Sequence, residues 1–120
     1  MKDRGPGTGS GSAWTLPEEL RALAEAGEGE AVREVIAIFQ TDTEVRIRSI
    51  HQALGERNAA RVRAETHAVK GSAAQVGATT ISDLCRRMEA AAGAGNLDEA
   101  LRLLPELEAE FAAVRRAMAG

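Results

Sequence analysis

The sequence predicts an all-α protein, an antiparallel four-helix bundle with a short extra N-terminal helix. Two observations indicate this fold class. Apolar residues recur every three or four positions through four long segments, which places one face of each helix against a core. Breaks that contain glycine or asparagine separate these segments, and no useful stretch alternates apolar and polar residues as a half-buried strand does. Short connections between successive helices favour antiparallel packing.

The N-terminal part of the chain divides into a tail and the start of a domain. Residues 1–13 are rich in glycine and serine and offer little to bury, so we expect a flexible tail there. A single domain is expected over residues 14–120. Pro17 suits the first turn of a short helix that runs to about Ala26, where two nearby glycines end it.

The first long helix is predicted over residues 30–54, and Gly55 supplies its stop signal. The second follows the loop at Arg57-Asn58 and runs to about Val76. The buried positions expected for these two helices have helical spacing. In the first they are Val32, Val35, Ile36, Phe39, Thr43, Ile47, Ile50 and Leu54, and in the second Val62, Thr66, Val69, Ala73 and Val76.

The last two helices are predicted over residues 81–92 and 97–118. We expect Thr80 to cap the backbone of the first of them, with Asp83 reaching back as in a capping box. Pro105 lies inside the second. Because proline removes a backbone donor and clashes with the preceding turn, a kink or restart is expected near that position.

One histidine lies on the outer face of the second long helix. At about 100° per residue, His67 falls about 140° around the helix from Val62, well away from the buried seam, so it should be exposed. Gly71, Ala74 and Ala78 lie within about 40° of the direction of His67. The surface around the imidazole is therefore expected to be clear of bulky side chains, which gives a partner access.

A lysine accompanies this histidine. Lys70 lies about 60° from His67 on the helix and can bring its ammonium toward any group that the imidazole carries. An exposed imidazole beside a cation suits a residue that accepts an anionic group from another macromolecule. His51, in contrast, has no similar clearing and is interpreted as a surface or boundary histidine.

The run His67-x-x-Lys70-Gly71-Ser72, followed by Gly77-Ala78, resembles the signature of histidine-containing phosphotransfer domains, the four-helix modules of bacterial and fungal phosphorelays. The resemblance extends from about residue 30 to residue 118. It implies that His67 accepts a phosphoryl group on a ring nitrogen. The donor would be an aspartate of a receiver domain or a histidine kinase relay, and the acceptor would be another response-regulator receiver.

The same resemblance implies roles for the neighbours of His67 and for its partners. Gly71 would admit the partner's active site, and Lys70 and Ser72 would support the phosphoryl group. The partners would be response-regulator receiver domains and a hybrid histidine kinase, with magnesium and the polarising groups supplied by the receiver. The sequence contains no phosphate-binding loop, nucleotide motif or metal-binding carboxylate cluster. We therefore expect a phosphocarrier without a cofactor or metal, rather than an enzyme.

Composition excludes several other classes of protein. A net charge of -3 and an aromatic content of 2% disfavour nucleic-acid binding. No apolar run approaches the roughly 20 residues of a membrane span, and the N-terminus lacks an apolar signal core. The single cysteine, Cys85, lies on an apolar helical face, as expected of a reduced protein. We expect a soluble, cytoplasmic monomer.

Two other functions remain open at this stage. The chain could be an adaptor bundle that docks receiver or kinase domains without carrying phosphate, so that His67 would be incidental. It could also be the histidine domain of a chemotaxis-type kinase, phosphorylated by an ATP-binding domain elsewhere. The intact motif argues against the adaptor, and the sequence has no attached ATP-binding domain.

Overall fold

The computed structural model describes residues 14–119 and confirms the predicted all-α bundle. Its α-helices are α1 Glu18–Leu23, α2 Gly29–Gly55, α3 Ala59–Gln75, α4 Thr79–Gly93 and α5 Leu97–Ala119. No strand occurs within the described range. Three-residue connections join each of the four long helices to the next, so that successive helices run antiparallel. The tail predicted over residues 1–13 lies outside the described residues.

The four long helices close into a ring. α3 packs against α2 and α4, and α5 packs against α4 and completes the ring by contacting α2. The core is aliphatic apart from Phe39 and Phe111, whose rings meet edge to face at 6.3 Å between centroids. Its largest fully buried side chains come from all four helices and include Ile50, Val62, Met88 and Leu107. α3 therefore has one face fixed in the core and one face free.

The first helix is shorter than predicted. α1 ends at Leu23, and a π-helical turn over Ala24–Glu28 joins it to α2. The predicted break is present, because Gly27 adopts a left-handed conformation with φ of 97°. Val35 was predicted to be buried but is 39% exposed. It lines an open cavity beside Leu20, since α1 is too short to cover this part of α2.

The side-chain cap predicted for α4 is absent, and of the kink or restart predicted near Pro105 the restart is absent. α4 has no side-chain cap: Ala78 occupies its N-cap position, and the carboxylate of Asp83 instead accepts a hydrogen bond from Arg86 at 2.7 Å. α5 does not restart at Pro105, because the helix is continuous from Leu97 to Ala119. By contrast, Asn58 does cap α3, where its side chain accepts a hydrogen bond from the backbone N–H of Arg61.

The segment before α1 packs across the turn between α3 and α4. Trp14 donates a hydrogen bond from Nε1 to the backbone carbonyl of Val76 at 2.8 Å. Pro17 lies against Gly77, which has a φ of +78°. This contact holds the end of α3 from outside the bundle.

Gly77→Ala is expected to lower the free energy of unfolding by about 1–3 kcal/mol, since alanine is strained in the left-handed region. In addition, its Cβ would lie 2.7 Å from Cγ of Pro17. Urea denaturation measures the change. Gly55→Ala is the control, because its Cβ would meet nothing within 4 Å. Equal unfolding midpoints for the two variants would show that the contact between Pro17 and Gly77 does not stabilise the fold.

Candidate functional site

α3 presents two faces of opposite character. Val62, Val69 and Ala73 on its inner face are completely buried. Its outer face carries His67, which is 68% exposed at its side chain, with Gly71 and Ala74 following it and Arg63 one turn before it. This arrangement confirms the predicted exposure of the histidine, because the same helical periodicity that buries the seam turns His67 outward.

A carboxylate of the neighbouring helix lies at hydrogen-bond distance from the ring of His67. Nδ1 of His67 lies 2.9 Å from Oε2 of Glu89 on α4. The hydrogen bond from Lys70, with a further one from His67, holds the pKa of Glu89 below its ordinary value despite partial burial. An ionised carboxylate can only accept hydrogen bonds, so the ring proton is assigned to Nδ1. In the neutral imidazole the lone pair is then on Nε2.

Lys70 reaches this cluster through the same carboxylate. Its Nζ lies 2.8 Å from Oε1 of Glu89, so that one side chain of α4 bridges the histidine and the lysine. Ser82 adds a second tie between the helices by donating a hydrogen bond to the backbone carbonyl of Lys70 at 3.1 Å. The predicted proximity of Lys70 and His67 is confirmed, because Nζ of Lys70 and Nδ1 of His67 contact the two carboxylate oxygens of Glu89.

The predicted clearing around His67 is present at two of its three positions. Gly71 and Ala74 are exposed, and a Cβ placed on Gly71 would meet no atom within 4 Å. Ala78 was also predicted to give a partner access, and this placement is wrong. Because α3 ends at Gln75, Ala78 lies beyond a turn, is 3% exposed and packs in the core.

Ser72 does not face the histidine. Its hydroxyl is half-buried and donates to the backbone carbonyl of Val69 within the same helix at 3.3 Å. It lies on the side of α3 that faces α2 and lines a cavity of about 330 Å³ there. The structure thus brings Lys70 to His67 and places Ser72 on a different side of α3.

That cavity belongs to an apolar region of α1, α2 and α3. Its lining is Leu20, Val35, Ile38, Phe39, Asp42, Ser72, Gln75 and Val76. On α2, Val35, Ile38 and Val45 are 39%, 60% and 51% exposed, and we call these three residues the α2 apolar surface. Ser72 and Gln75 on α3 line the same cavity, so the α2 apolar surface adjoins the helix that carries His67. Exposed apolar side chains gathered in one region are typical of a protein-binding surface.

Charged side chains between α2 and α3 fix the rotation of the histidine helix. Glu65 accepts hydrogen bonds from Arg46 and from Ser49, each at 2.9 Å. Arg46 also binds Asp42 at 2.8 Å. Glu65 therefore faces α2 and not His67, as its position in the sequence predicts.

The described residues offer no binding site for a metal. Within residues 14–119, no group of three or more histidine, cysteine or acidic side chains is arranged to hold an ion. Burial, with a smaller effect from Glu89, raises the pKa of Cys85 to about 12, so this thiol is not a nucleophile at neutral pH. None of the helices in the described range is long and apolar enough to cross a membrane.

Glu89 is the member of this cluster that the sequence analysis missed. It lies 22 positions after His67 and on another helix, where no local spacing connects the two. A signal was present in the pattern of α4. Glu89 follows the buried Cys85 by four residues, and positions one turn apart share a helix face, so its carboxylate borders the packed side of α4.

Comparison with known proteins identifies the class of this bundle. The family model described as "Hpt domain" matches residues 34–117. The histidine-containing phosphotransfer protein B of Pseudomonas aeruginosa has a similar solved structure, with a TM-score of 0.79 and 30% sequence identity. That match covers 89% of this chain and 93% of the other. The chain therefore belongs to the Hpt domain family, the histidine-containing phosphotransfer domains.

Curated relatives extend the similarity to plants and fungi. Histidine-containing phosphotransfer protein 2 of Arabidopsis thaliana is 30% identical over 100 residues, which is 81% of this chain. The phosphorelay intermediate protein YPD1 of Candida albicans is 30% identical over 76 residues, or 63% of this chain. The aligned regions span 64% and 41% of the lengths of these two relatives.

Proposed function

We propose that this domain is a phosphorelay carrier and that His67 is its phosphoacceptor. The observation that carries the proposal is the exposed imidazole whose Nδ1 is engaged by Glu89, which leaves the Nε2 lone pair directed away from that contact. Family membership supports the same reaction, since relatives are named phosphotransfer and phosphorelay intermediate proteins.

The transfer needs only a nucleophile from this chain. Nε2 attacks the phosphorus of an aspartyl phosphate in a receiver domain, the P–O bond to the aspartate breaks, and the carboxylate departs with the electron pair. In the second transfer, a carboxylate of another receiver attacks phosphorus and the P–N bond breaks. A histidine kinase relay is the alternative donor. The receiver supplies magnesium and the polarising groups, and this domain acts as a phosphocarrier and not as an enzyme.

The neighbours of His67 are assigned by their placement. Lys70 supports the phosphoryl group by turning its ammonium from Glu89 toward the new oxygens, an attraction that grows when a partner excludes water. Gly71 and Ala74 leave room for the receiver's active site. The hydroxyl of Ser72 is bonded within α3, so we assign this residue to the cavity facing α2 and not to the phosphoryl group.

The partners of this proposal are receiver domains and a hybrid histidine kinase. The domain over residues 14–120 would act as a single bundle, because its core is completed by its own four long helices. We place it in the cytoplasm together with these partners. Neither an adaptor that carries no phosphate nor a kinase histidine domain explains the open Nε2 better.

His67→Gln is expected to abolish phosphoryl transfer from prephosphorylated receiver domains, because an amide is not a nucleophile at phosphorus. Transfer from a panel of receivers labelled with radioactive phosphate measures this, together with the acid lability of the product. His51→Gln is the matched control and should retain transfer, since His51 lies on another helix. Binding of receivers to the wild-type protein without any transfer would contradict the proposal and support the adaptor function.

Gly71→Leu is expected to separate folding from function. A leucine is favoured over glycine inside a helix by about 0.5–1 kcal/mol, and the space around residue 71 is open, so the unfolding free energy should not fall. Transfer from a receiver should slow by at least about tenfold, because the side chain adds bulk beside His67. Assays of phosphoryl transfer stopped at successive times measure the rate, and urea denaturation measures the free energy of unfolding.

The control for this bulk is Ala112→Leu, on the exposed side of α5. It should leave the transfer rate unchanged. Equal transfer rates in Gly71→Leu and the wild-type protein would show that the receiver does not approach across this part of α3.

We place the receiver over α3 and the adjoining α2 apolar surface. Ile38→Asp should weaken receiver binding by about 1–3 kcal/mol, as expected when a charge replaces an apolar contact in an interface. Calorimetric titration with the receiver measures the loss. Leu101→Asp is the control, because Leu101 on α5 is 48% exposed and lies outside the cavity. Equal losses for both variants would exclude this placement.

A further inference from the structure

Two pairs of histidine and glutamate in this protein differ in how firmly they are held. Nδ1 of His67 lies 2.9 Å from a carboxylate that is 21% exposed and is also bound by Lys70. Nδ1 of His51 lies 3.8 Å from Glu108, a carboxylate that is 46% exposed. The first pair has hydrogen-bond geometry and a fixed partner, and the second does not. The pair of His51 and Glu108 therefore serves as an internal comparison for the effect of the fixed carboxylate of Glu89 on His67.

Phosphorylation at Nε2 changes what Nδ1 can do. A phosphorylated ring that keeps its Nδ1 proton is a cation, whereas loss of that proton leaves a lone pair on Nδ1. A carboxylate at hydrogen-bond distance attracts the cation and repels the lone pair. Glu89 is in position to favour the protonated ring after phosphorylation, as it favours the Nδ1–H tautomer before it.

We propose that Glu89 keeps the proton on Nδ1 of His67 through both transfers, so that no proton is exchanged with solvent in the cycle. In the first transfer Nε2 uses its lone pair to bond phosphorus, the aspartate leaves with the P–O electron pair, and the ring becomes an imidazolium. In the second the P–N electron pair returns to Nε2, and the neutral Nδ1–H imidazole is regenerated. Atoms, charge and protons balance in each direction.

This role makes the phosphorylated histidine a reactive donor. With Nδ1 protonated, the group that leaves phosphorus is a neutral imidazole, whereas without that proton it would leave as an anion. Glu89 also adds a negative charge near the phosphoryl oxygens and competes with them for Lys70. Both effects favour passing the phosphoryl group on to a receiver. Glu89 is therefore a positioning residue that acts through His67, not a group that touches phosphorus.

Few other titratable groups lie near His67 and Glu89. α3 contributes Lys70, and Arg63 lies one turn before His67 with its guanidinium against Gly93. α4 contributes Glu89 and the thiol of Cys85, which stays neutral because burial raises its pKa to about 12. Lysine and arginine side chains keep their charge between about pH 6 and pH 9. His51 on α2 is the other histidine, and its nitrogen signals are assigned and set aside with a His51→Gln variant, so that the remaining changes report the ring of His67.

The proposal rests on phosphorylation of His67, so the test does not depend on a receiver for loading. The protein labelled with nitrogen-15 in histidine is phosphorylated chemically with phosphoramidate. Nitrogen NMR then follows protonation of the phosphorylated ring from about pH 5.5 to pH 9.5, in the wild type, Glu89→Gln and Glu108→Gln. The rate of phosphoryl transfer to a receiver is measured over the same pH range.

In Glu89→Gln, the pH at which the phosphorylated ring loses its Nδ1 proton should fall by at least about one unit, a tenfold loss of proton affinity. Transfer by this variant should slow as the pH rises, while transfer by the wild type and Glu108→Gln stays level. Glu89→Asp retains the charge and should restore most of the wild-type profile. It also serves as the second variant if Glu89→Gln folds poorly, which a backbone NMR spectrum reveals.

The same deprotonation midpoint in the wild type and Glu89→Gln would overturn this proposal. Failure of receivers to load His67, with the NMR difference intact, would instead overturn the proposed function and leave the role of Glu89 in proton retention standing. A merely structural role for Glu89 would change stability or yield without moving the pH profile. The two hypotheses are therefore tested separately.

Discussion

The packing of α3 between α2 and α4 is the constraint on which the site depends. Its inner seam is completely buried at Val62, Val69 and Ala73, so the helix cannot rotate without exposing apolar surface. The ion pair of Glu65 with Arg46 on α2 and the contact of His67 with α4 set the same rotation from both sides. As a result, the imidazole has one orientation relative to the bundle although it lies at the surface.

Glu89 links this rotation to chemistry. Because it is held by Lys70 and only 21% exposed, its carboxylate stays at Nδ1 of His67 and does not sample solvent freely. The pair of His67 and Glu89 lies at the surface, where an ion pair contributes little to stability, and under our proposal its importance lies in the proton that it positions.

The surface around the site divides in two. On one side of His67 the polar contacts reach α4 through Glu89, and on the other the surface continues across Ser72 toward the α2 apolar surface. Small residues at 71 and 74 separate these regions. A partner that docks on the apolar region can therefore approach Nε2 without displacing the hydrogen bond on Nδ1.

Local patterns in the sequence were sufficient for the helices, the buried seam of α3 and the exposure of His67, because helical periodicity alone decides which residues share a face. The same patterns failed at Ala78 and Val35. Ala78 lies beyond the end of α3 that the sequence itself predicts, so helical spacing does not apply to it, and the burial of Val35 depends on how much of α2 is covered by α1, which local spacing does not decide. The partnership of His67 with Glu89 was likewise decided only by tertiary structure. Residues 22 positions apart come within 2.9 Å because two antiparallel helices pack side by side, and the register between helices is set by the whole core.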